Sequence, residues 1–184
     1  MVTSMEVLEP TVEYAVRPIA LAHRPRTLQG GIIGFLDGWG SRRADGTIGM
    51  YPVMEELKRL LEIRCATAGA VWIKKARAGS PADQMEIDRL MRGCAAVING
   101  ICLSGGCTAG AVGDAVELER RGVPTVTLCH AEFETSARQY AASLGLPDLP
   151  FSVYPAPNQG NIGDTAEAVA AASIEQILEA LTKQ

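Results

Sequence analysis

From Gly31 onward, short apolar runs alternate with longer stretches whose apolar residues recur at helical spacing. This alternation constrains the fold more than any other feature of the chain. Gly31-Ile32-Ile33-Gly34-Phe35-Leu36 has the continuous apolar character of a strand buried on both faces. Pro52 to Arg64 follows with helical spacing and a proline at its start. Ala68 to Ile73 reads as a second strand. A helix opens at Ser80-Pro81-Ala82-Asp83 and runs to about Arg92, and Cys94 to Ile101 reads as a third strand. A glycine-rich turn then leads into a helix from about Thr108 to Arg121, ended by Gly122 and Pro124. Val123 to Cys129 is a fourth strand, Ala131 to Leu144 a helix closed by Gly145, and Phe151 to Tyr154 a short fifth strand. Thr165 to Thr182 is the last helix, with Asp164 near its cap.

Strict alternation with short loops predicts a parallel sheet covered on both faces by right-handed crossovers. The expectation is one three-layer α/β domain over residues 31–184, with five strands in the flavodoxin-like order 2-1-3-4-5. Residues 1–30 differ. They hold Pro10, Pro18, Pro25 and the cluster His23-Arg24-Pro25-Arg26 without a long period, and read as an irregular arm. Either it packs on a partner subunit or it is a loose tail.

The length of 184 residues fits a single domain, and 47% hydrophobic content can fill its core. No apolar run approaches the roughly 18 residues of a membrane helix, and the N-terminus has no apolar leader core. The odd count of five cysteines reads as reduced thiols, so a cytoplasmic location is expected. A net charge of −4 and only 5% aromatics speak against nucleic-acid partners. No G-x-G-x-x-G or P-loop signature follows a strand, no G-x-S-x-G elbow occurs, and two histidines without C-x-x-C leave little for zinc. The reading therefore carries no cofactor and no metal. A small-molecule substrate is expected, and a homodimer or a homologous partner subunit.

Ligands in open α/β sheets bind outside the carboxyl ends of the strands. The richest chemistry there is Cys102-Leu103-Ser104-Gly105-Gly106-Cys107-Thr108, between the third strand and its helix. Two glycines leave amide groups uncovered, and the helix N-terminus adds partial positive charge. A thiol in that field is favoured as thiolate, the nucleophilic form. The amides of Gly105 and Gly106 could hold a carboxylate or a developing oxyanion. Cys107 is thus the candidate reactive residue, with Ser104 or Thr108 as hydrogen-bonding neighbour. The plainer alternative is a small residue packed at a tight turn. His130 ends the fourth strand as a base or thiolate partner, or as a histidine capping a strand end. Asp37, followed by Gly38 and Trp39, is a substrate contact or a turn former. Lys74-Lys75 pairs with an anionic substrate or is solvated. Asp114 braces the turn. Glu117, Glu119, Arg120 and Arg121 read as a solvated charge run. Cys65, Cys94 and Cys129 read as packing residues, and Cys102 could close a disulfide with Cys107.

The stretch Gly105 to Val126, GGCTAGAVGDAVELERRGVPTV, resembles the family named for a selenocysteine-Gly-Ser-Cys (UGSC) motif. The match falls on Gly105, Cys107, Thr108, Asp114, Ala115, Leu118, Glu119, Gly122, Pro124, Thr125 and Val126. Gly34-Phe35-Leu36-Asp37 and Ser80-Pro81-Ala82 extend it thinly over about residues 31–157. Three positions depart: Ser104 stands for the first Cys or selenocysteine, Leu103 for an aspartate, and Gly106 for a serine. The paired redox residues of that motif are therefore reduced to Cys107, acting alone or with Cys102. The same turn is distantly similar to the selenoprotein B component of glycine reductase, which cleaves a carbon–nitrogen bond beside a carboxylate. It also resembles the Cys-Thr turn of the aspartate/glutamate racemases, whose two-cysteine, two-domain arrangement this chain lacks.

These resemblances and residues imply a cysteine-dependent, cofactor-independent enzyme, of lyase type, acting on a small carboxylate or carbonyl compound. Cys107, Ser104, His130 and Asp37 would carry the chemistry. Gly105, Gly106, Thr108, Trp39 and Lys74 would bind the substrate. The other reading is a non-catalytic or redox partner subunit of a UGSC-type complex.

Overall fold

The computed structural model describes residues 16–155 and 165–182. Residues 1–15 of the arm, Asp164 and the segment after Pro155 lie outside the described residues. In chain order the elements are β1 (Ile32–Asp37), β2 (Ser41–Arg42), β3 (Ile48–Gly49), α1 (Pro52–Cys65), β4 (Gly69–Lys74), α2 (Gln84–Gly93) and β5 (Ala96–Cys102). They continue with α3 (Gly105–Arg120), β6 (Thr125–His130), a 3-10 turn (Ala131–Phe133), α4 (Glu134–Ser143), β7 (Phe151–Tyr154) and α5 (Ala166–Leu181).

The five long strands form one parallel sheet in the order β4-β1-β5-β6-β7. Leaving out the small hairpin strands, this is the expected order 2-1-3-4-5. Apolar residues of α1 and α5 pack with Phe35, Ile98 and Leu128 on one face. On the other face α3 and α4 cover Cys102 and Cys129, and α2 with Leu118 of α3 covers Leu36 and Val97. Every residue of β5 and β6 is buried, as expected of strands covered on both faces. Each Val, Ile or Leu side chain removed from water there contributes roughly 1.5–3 kcal/mol.

Three features depart from the sequence expectation. The first is the antiparallel hairpin β2–β3, whose strands of two residues each are too short to show a period. The second concerns Glu119, expected on a solvated face. It is buried, because helix α3 lies between the sheet and its neighbours with no solvent face at that position. Its carboxylate accepts the forked guanidinium of Arg24 at 2.7 Å on both oxygens, and the backbone N–H groups of Ala22 and Thr125, also at 2.7 Å. The third is the arm. Residues 16–30 pack on the chain's own domain: Ile19 donates to Gly145 O at 2.8 Å, Arg24 to Ala180 O at 3.2 Å, and Leu28 enters the core beside Phe35. This part of the arm is held on its own domain and is not a loose tail.

Candidate active site at the end of the central strand

Strand β5 sits in the middle of the sheet and delivers the candidate residues. Its pairing with β6 shifts between Gly100 and Cys102, so that one extra residue stands opposite the partner strand. A bulge of this kind re-aims the side chains beyond it. Gly100 faces Met54 of α1 and Ile101 stays in that same layer, while Cys102 turns into the α3–α4 layer. There it registers beside Cys129 of β6.

Helix α3 begins at Gly105, three residues earlier than its spacing predicts. Ser104 is the N-cap in extended backbone, so Gly105 and Gly106 form the first helical turn rather than a loop. Both are exposed, and among the described residues neither amide has a hydrogen-bond acceptor. The first turn of a helix leaves such donors open by geometry. Cys107 is the third helical residue and takes the place usually held by Glu or Gln in a capping box. Its sulfur accepts the N–H of Ser104 at 2.9 Å and of Leu103 at 3.1 Å, and lies 3.1 Å from Ser104 Oγ. Thr108 Oγ1 donates to Ser104 O at 2.7 Å and closes the same turn. Cys107 itself is 4% exposed, with the exposed Ser104 and the two glycines as its neighbours on the surface side.

The loop after β4 presses on this turn. A Cβ at Gly110 would stand 2.8 Å from Ala78 O, and one at Gly38 would stand 2.6 Å from Ala78 Cα, so both glycines permit backbone contact. The loop is held by Lys75, whose ammonium pairs with Asp114 of α3, both side chains nearly inaccessible. Asp114 Oδ1 also accepts the N–H of Ala82 at 2.7 Å. Burial raises the Asp114 carboxyl above its ordinary range, and the Lys75 charge works against that rise. Asp114 thus braces the turn, through Lys75, which is expected from sequence as a substrate contact or a solvated residue and is instead buried in this pair.

Asp37 is fully buried. One carboxylate oxygen accepts the N–H groups of Trp39 at 2.7 Å and Gly40 at 3.0 Å, and the other that of Tyr51 at 2.7 Å. It shapes the loop after β1 and fastens the start of α1 to it. Trp39, thus placed, donates its indole N–H to Ile101 O at 3.3 Å and lies 6.3 Å, centroid to centroid, from the Tyr51 ring. On its other side Trp39 lines a groove of about 510 Å³ with Arg42, Ile48, Trp72 and Lys74. Lys74 Nζ donates to Gly38 O at 3.1 Å and Lys75 O at 2.6 Å, so it is anchored rather than free in solvent.

His130 does not join Cys107. Its Nδ1 accepts the N–H of Glu132 at 3.2 Å, which places the proton of the neutral ring on Nε2. The ring packs edge-on to Tyr154 at 5.7 Å, and no hydrogen bond links it to the Cys107 sulfur. Tyr154 packs against His130, and Tyr51 against Trp39. Burial is the main cause that raises the Tyr154 hydroxyl, with further increments from Tyr51 and from the thiols of Cys129, Cys102 and Cys107. The Tyr51 hydroxyl is raised by burial and then by Asp37. Tyr154 ends a strand, so the strand-end rule reaches it. Tyr51 precedes a helix, and no local pattern marks it. Cys102 is raised first by its hydrogen bond with Cys129 and next by burial.

The comparisons with known proteins agree with this architecture at one level only. No curated protein and no solved structure matches the chain. The sequence profile of the UGSC family matches residues 6–183, nearly the whole chain, including the arm, the capped cysteine turn and α5. The protein belongs to the UGSC family.

Proposed function

We propose that this chain is a cysteine-dependent enzyme that needs no cofactor and cleaves a bond in a small carboxylate or carbonyl compound. The observation that carries the reading is the environment of Cys107. Two backbone N–H groups and the Ser104 hydroxyl surround its sulfur, and beside it stand the amides of Gly105 and Gly106, which have no acceptor among the described residues. A sulfur that accepts donors is held in the role of a nucleophile. The neighbouring amides and helix N-terminus suit the carboxylate or the oxyanion of the substrate. In this reading Cys107 attacks the electrophilic carbon or takes the proton beside the carboxylate. Ser104 and Thr108 hold the turn, and Asp37 acts as a positioning residue through Trp39. His130, with its proton on Nε2, serves as a donor to the leaving group rather than as the base for Cys107. The preference for bond cleavage rests on the resemblance of the turn to selenoprotein B. Trp39 and Lys74 bind the part of the substrate that extends into the groove.

The alternative, a non-catalytic partner subunit, drew on the arm and on Ser104. The described arm packs on its own domain, and Ser104 has a complete role as N-cap, so neither observation favours that reading. Homodimer formation remains a proposal on composition, and a clean monomer by light scattering at micromolar concentration would remove it.

Site-resolved alkylation with iodoacetamide tests the central claim. Burial pushes the Cys94 thiol up to about 11 and raises that of Cys65 as well. At pH 7–8 Cys107 should therefore be modified well ahead of both, by about tenfold or more over Cys94. A Cys107 no faster than Cys94 would overturn the reading. A positive result licenses a screen of small carboxylates, in which Cys107→Ser should abolish turnover.

A further inference from the structure

Of the four thiols that the mechanism above leaves unused, two stand together. Cys102 and Cys129 occupy the same register position on adjacent parallel strands, and both are fully buried in the α3–α4 layer. Neighbouring strands run about 4.7–4.9 Å apart, inside the 4.4–6.8 Å range of Cα separations that a disulfide spans. The β5 bulge creates this pairing. In unbroken register Cys102 would face the α1–α5 layer and Cys129 would have Ile101 beside it.

A pair so deeply buried cannot meet an oxidant directly, but Cys107 stands next to it. Its sulfur is 3.1 Å from Leu103 N, the atom that follows Cys102 along the backbone, and so lies within about 5.5 Å of the Cys102 Cα. Cys107 is the least buried of the three at 4% exposure, and Cys102 is the residue that neighbours both it and Cys129. Rotation of the Cys102 side chain between its staggered positions changes which partner it faces.

We propose that Cys102 and Cys129 form a disulfide on exposure to a hydroperoxide, with Cys107 as the thiol through which oxidation enters. The Cys107 thiol gives up its proton and as thiolate attacks hydrogen peroxide, forming an S–O bond as the O–O bond breaks, and the departing hydroxide takes up that proton as the first water. The Cys102 sulfur attacks the resulting sulfenic acid, and its proton departs with the hydroxyl as the second water. That step leaves a Cys102–Cys107 disulfide. The Cys129 sulfur then attacks Cys102, Cys107 leaves as thiolate, and the Cys129 proton returns to it. Two thiols have been oxidised and one peroxide reduced to water. The relay shares Cys107 with the proposed enzymatic role and gives this chain two-thiol chemistry with Ser104 in place of the first motif cysteine. It also predicts that peroxide leaves Cys107 free again once the inner disulfide has formed.

The test is to treat the reduced full-length protein with hydrogen peroxide, block remaining thiols with iodoacetamide, and map disulfide-linked peptides by mass spectrometry. Wild type should yield the Cys102–Cys129 link. Cys107→Ala should slow its appearance by about tenfold or more, because the entry thiol is gone. Cys129→Ala should instead accumulate the Cys102–Cys107 link. Absence of the Cys102–Cys129 link in wild type overturns the proposal without need of any variant. Equal rates in wild type and Cys107→Ala overturn the relay. The alkylation rate of Cys107 in untreated samples is read in the same experiment. A fast Cys107 with no inner disulfide refutes the relay alone, whereas a slow Cys107 refutes the enzymatic reading.

Discussion

Helices α2 and α3 begin with the same device and use it differently. At α2, Asp83 caps the helix and accepts from Glu86 N at 2.9 Å, while the Glu86 carboxylate accepts Asp83 N–H at 2.8 Å. This reciprocal box is largely solvated, and it stabilises the start of the helix. At α3, Ser104 caps, its contact to Cys107 N is long at 3.5 Å, and the returning acceptor is the Cys107 sulfur. The carboxylate of one box has become a thiol in the other, moved to the end of the central strand and largely buried. A motif that elsewhere only stabilises here holds a thiol in a fixed orientation. The two boxes are also joined, because Asp114 of α3 accepts from Ala82, the residue before the α2 cap, and pairs with Lys75.

Cutting that join has the largest expected effect. Lys75→Met leaves Asp114 buried without its counter-charge, and a broken buried pair costs about 3–5 kcal/mol. Urea denaturation at neutral pH should show a loss of that size. Loss of the ammonium also removes the influence that opposes the rise of the Asp114 carboxyl. A carboxyl raised in the folded state takes up a proton on folding, so its protonation favours the native form as pH falls. The deficit of the variant should therefore be greatest near neutrality and shrink on acidification through the raised value. A deficit independent of pH would show that Asp114 is not the group left stranded.

The close approach of the Lys75 loop to α3 is the next point to break. A methyl at Gly110 would meet Ala78 O at 2.8 Å and the Gly79 carbonyl carbon at 3.0 Å, both backbone atoms that cannot swing aside. Gly110→Ala should cost about 1–3 kcal/mol by overpacking. Gly113→Ala, one turn on, meets nothing within 4 Å and should stabilise by up to about 1 kcal/mol through helix propensity. Thermal melts of the two variants should shift in opposite directions. The same sign for both would mean that the loop does not bear on the helix.

Legibility followed burial. The sheet order could be read because β1, β5 and β6 are buried on both faces, and short loops leave few topologies. Cys107 could be read from its place after a buried strand. Its cap was harder to see, since the capping-box pattern expects Glu or Gln at the third helical position and two glycines disguise a helix start. Glu119 was misread because it sits in a charge run while its partner Arg24 lies 95 residues away, a pairing no local pattern reveals. The Cys102–Cys129 pairing was illegible for a related reason. A one-residue bulge decides which face Cys102 takes, and period-two reasoning places it on the other.

The smallest expected effect sharpens the comparison most. Asp83→Ala and Ser104→Ala each remove a cap side chain and should each cost about 1 kcal/mol of stability. On stability alone the two helix starts are equivalent. They should separate in the alkylation rate of Cys107. Ser104→Ala removes the hydroxyl 3.1 Å from the sulfur and leaves both backbone donors in place, so the rate should change by a few-fold while the fold persists. Asp83→Ala touches nothing in contact with Cys107, and its rate should equal that of wild type. Equal rates in all three proteins would make the α3 box a second copy of the structural one at α2, and the hydroxyl would have no part in setting the sulfur's reactivity.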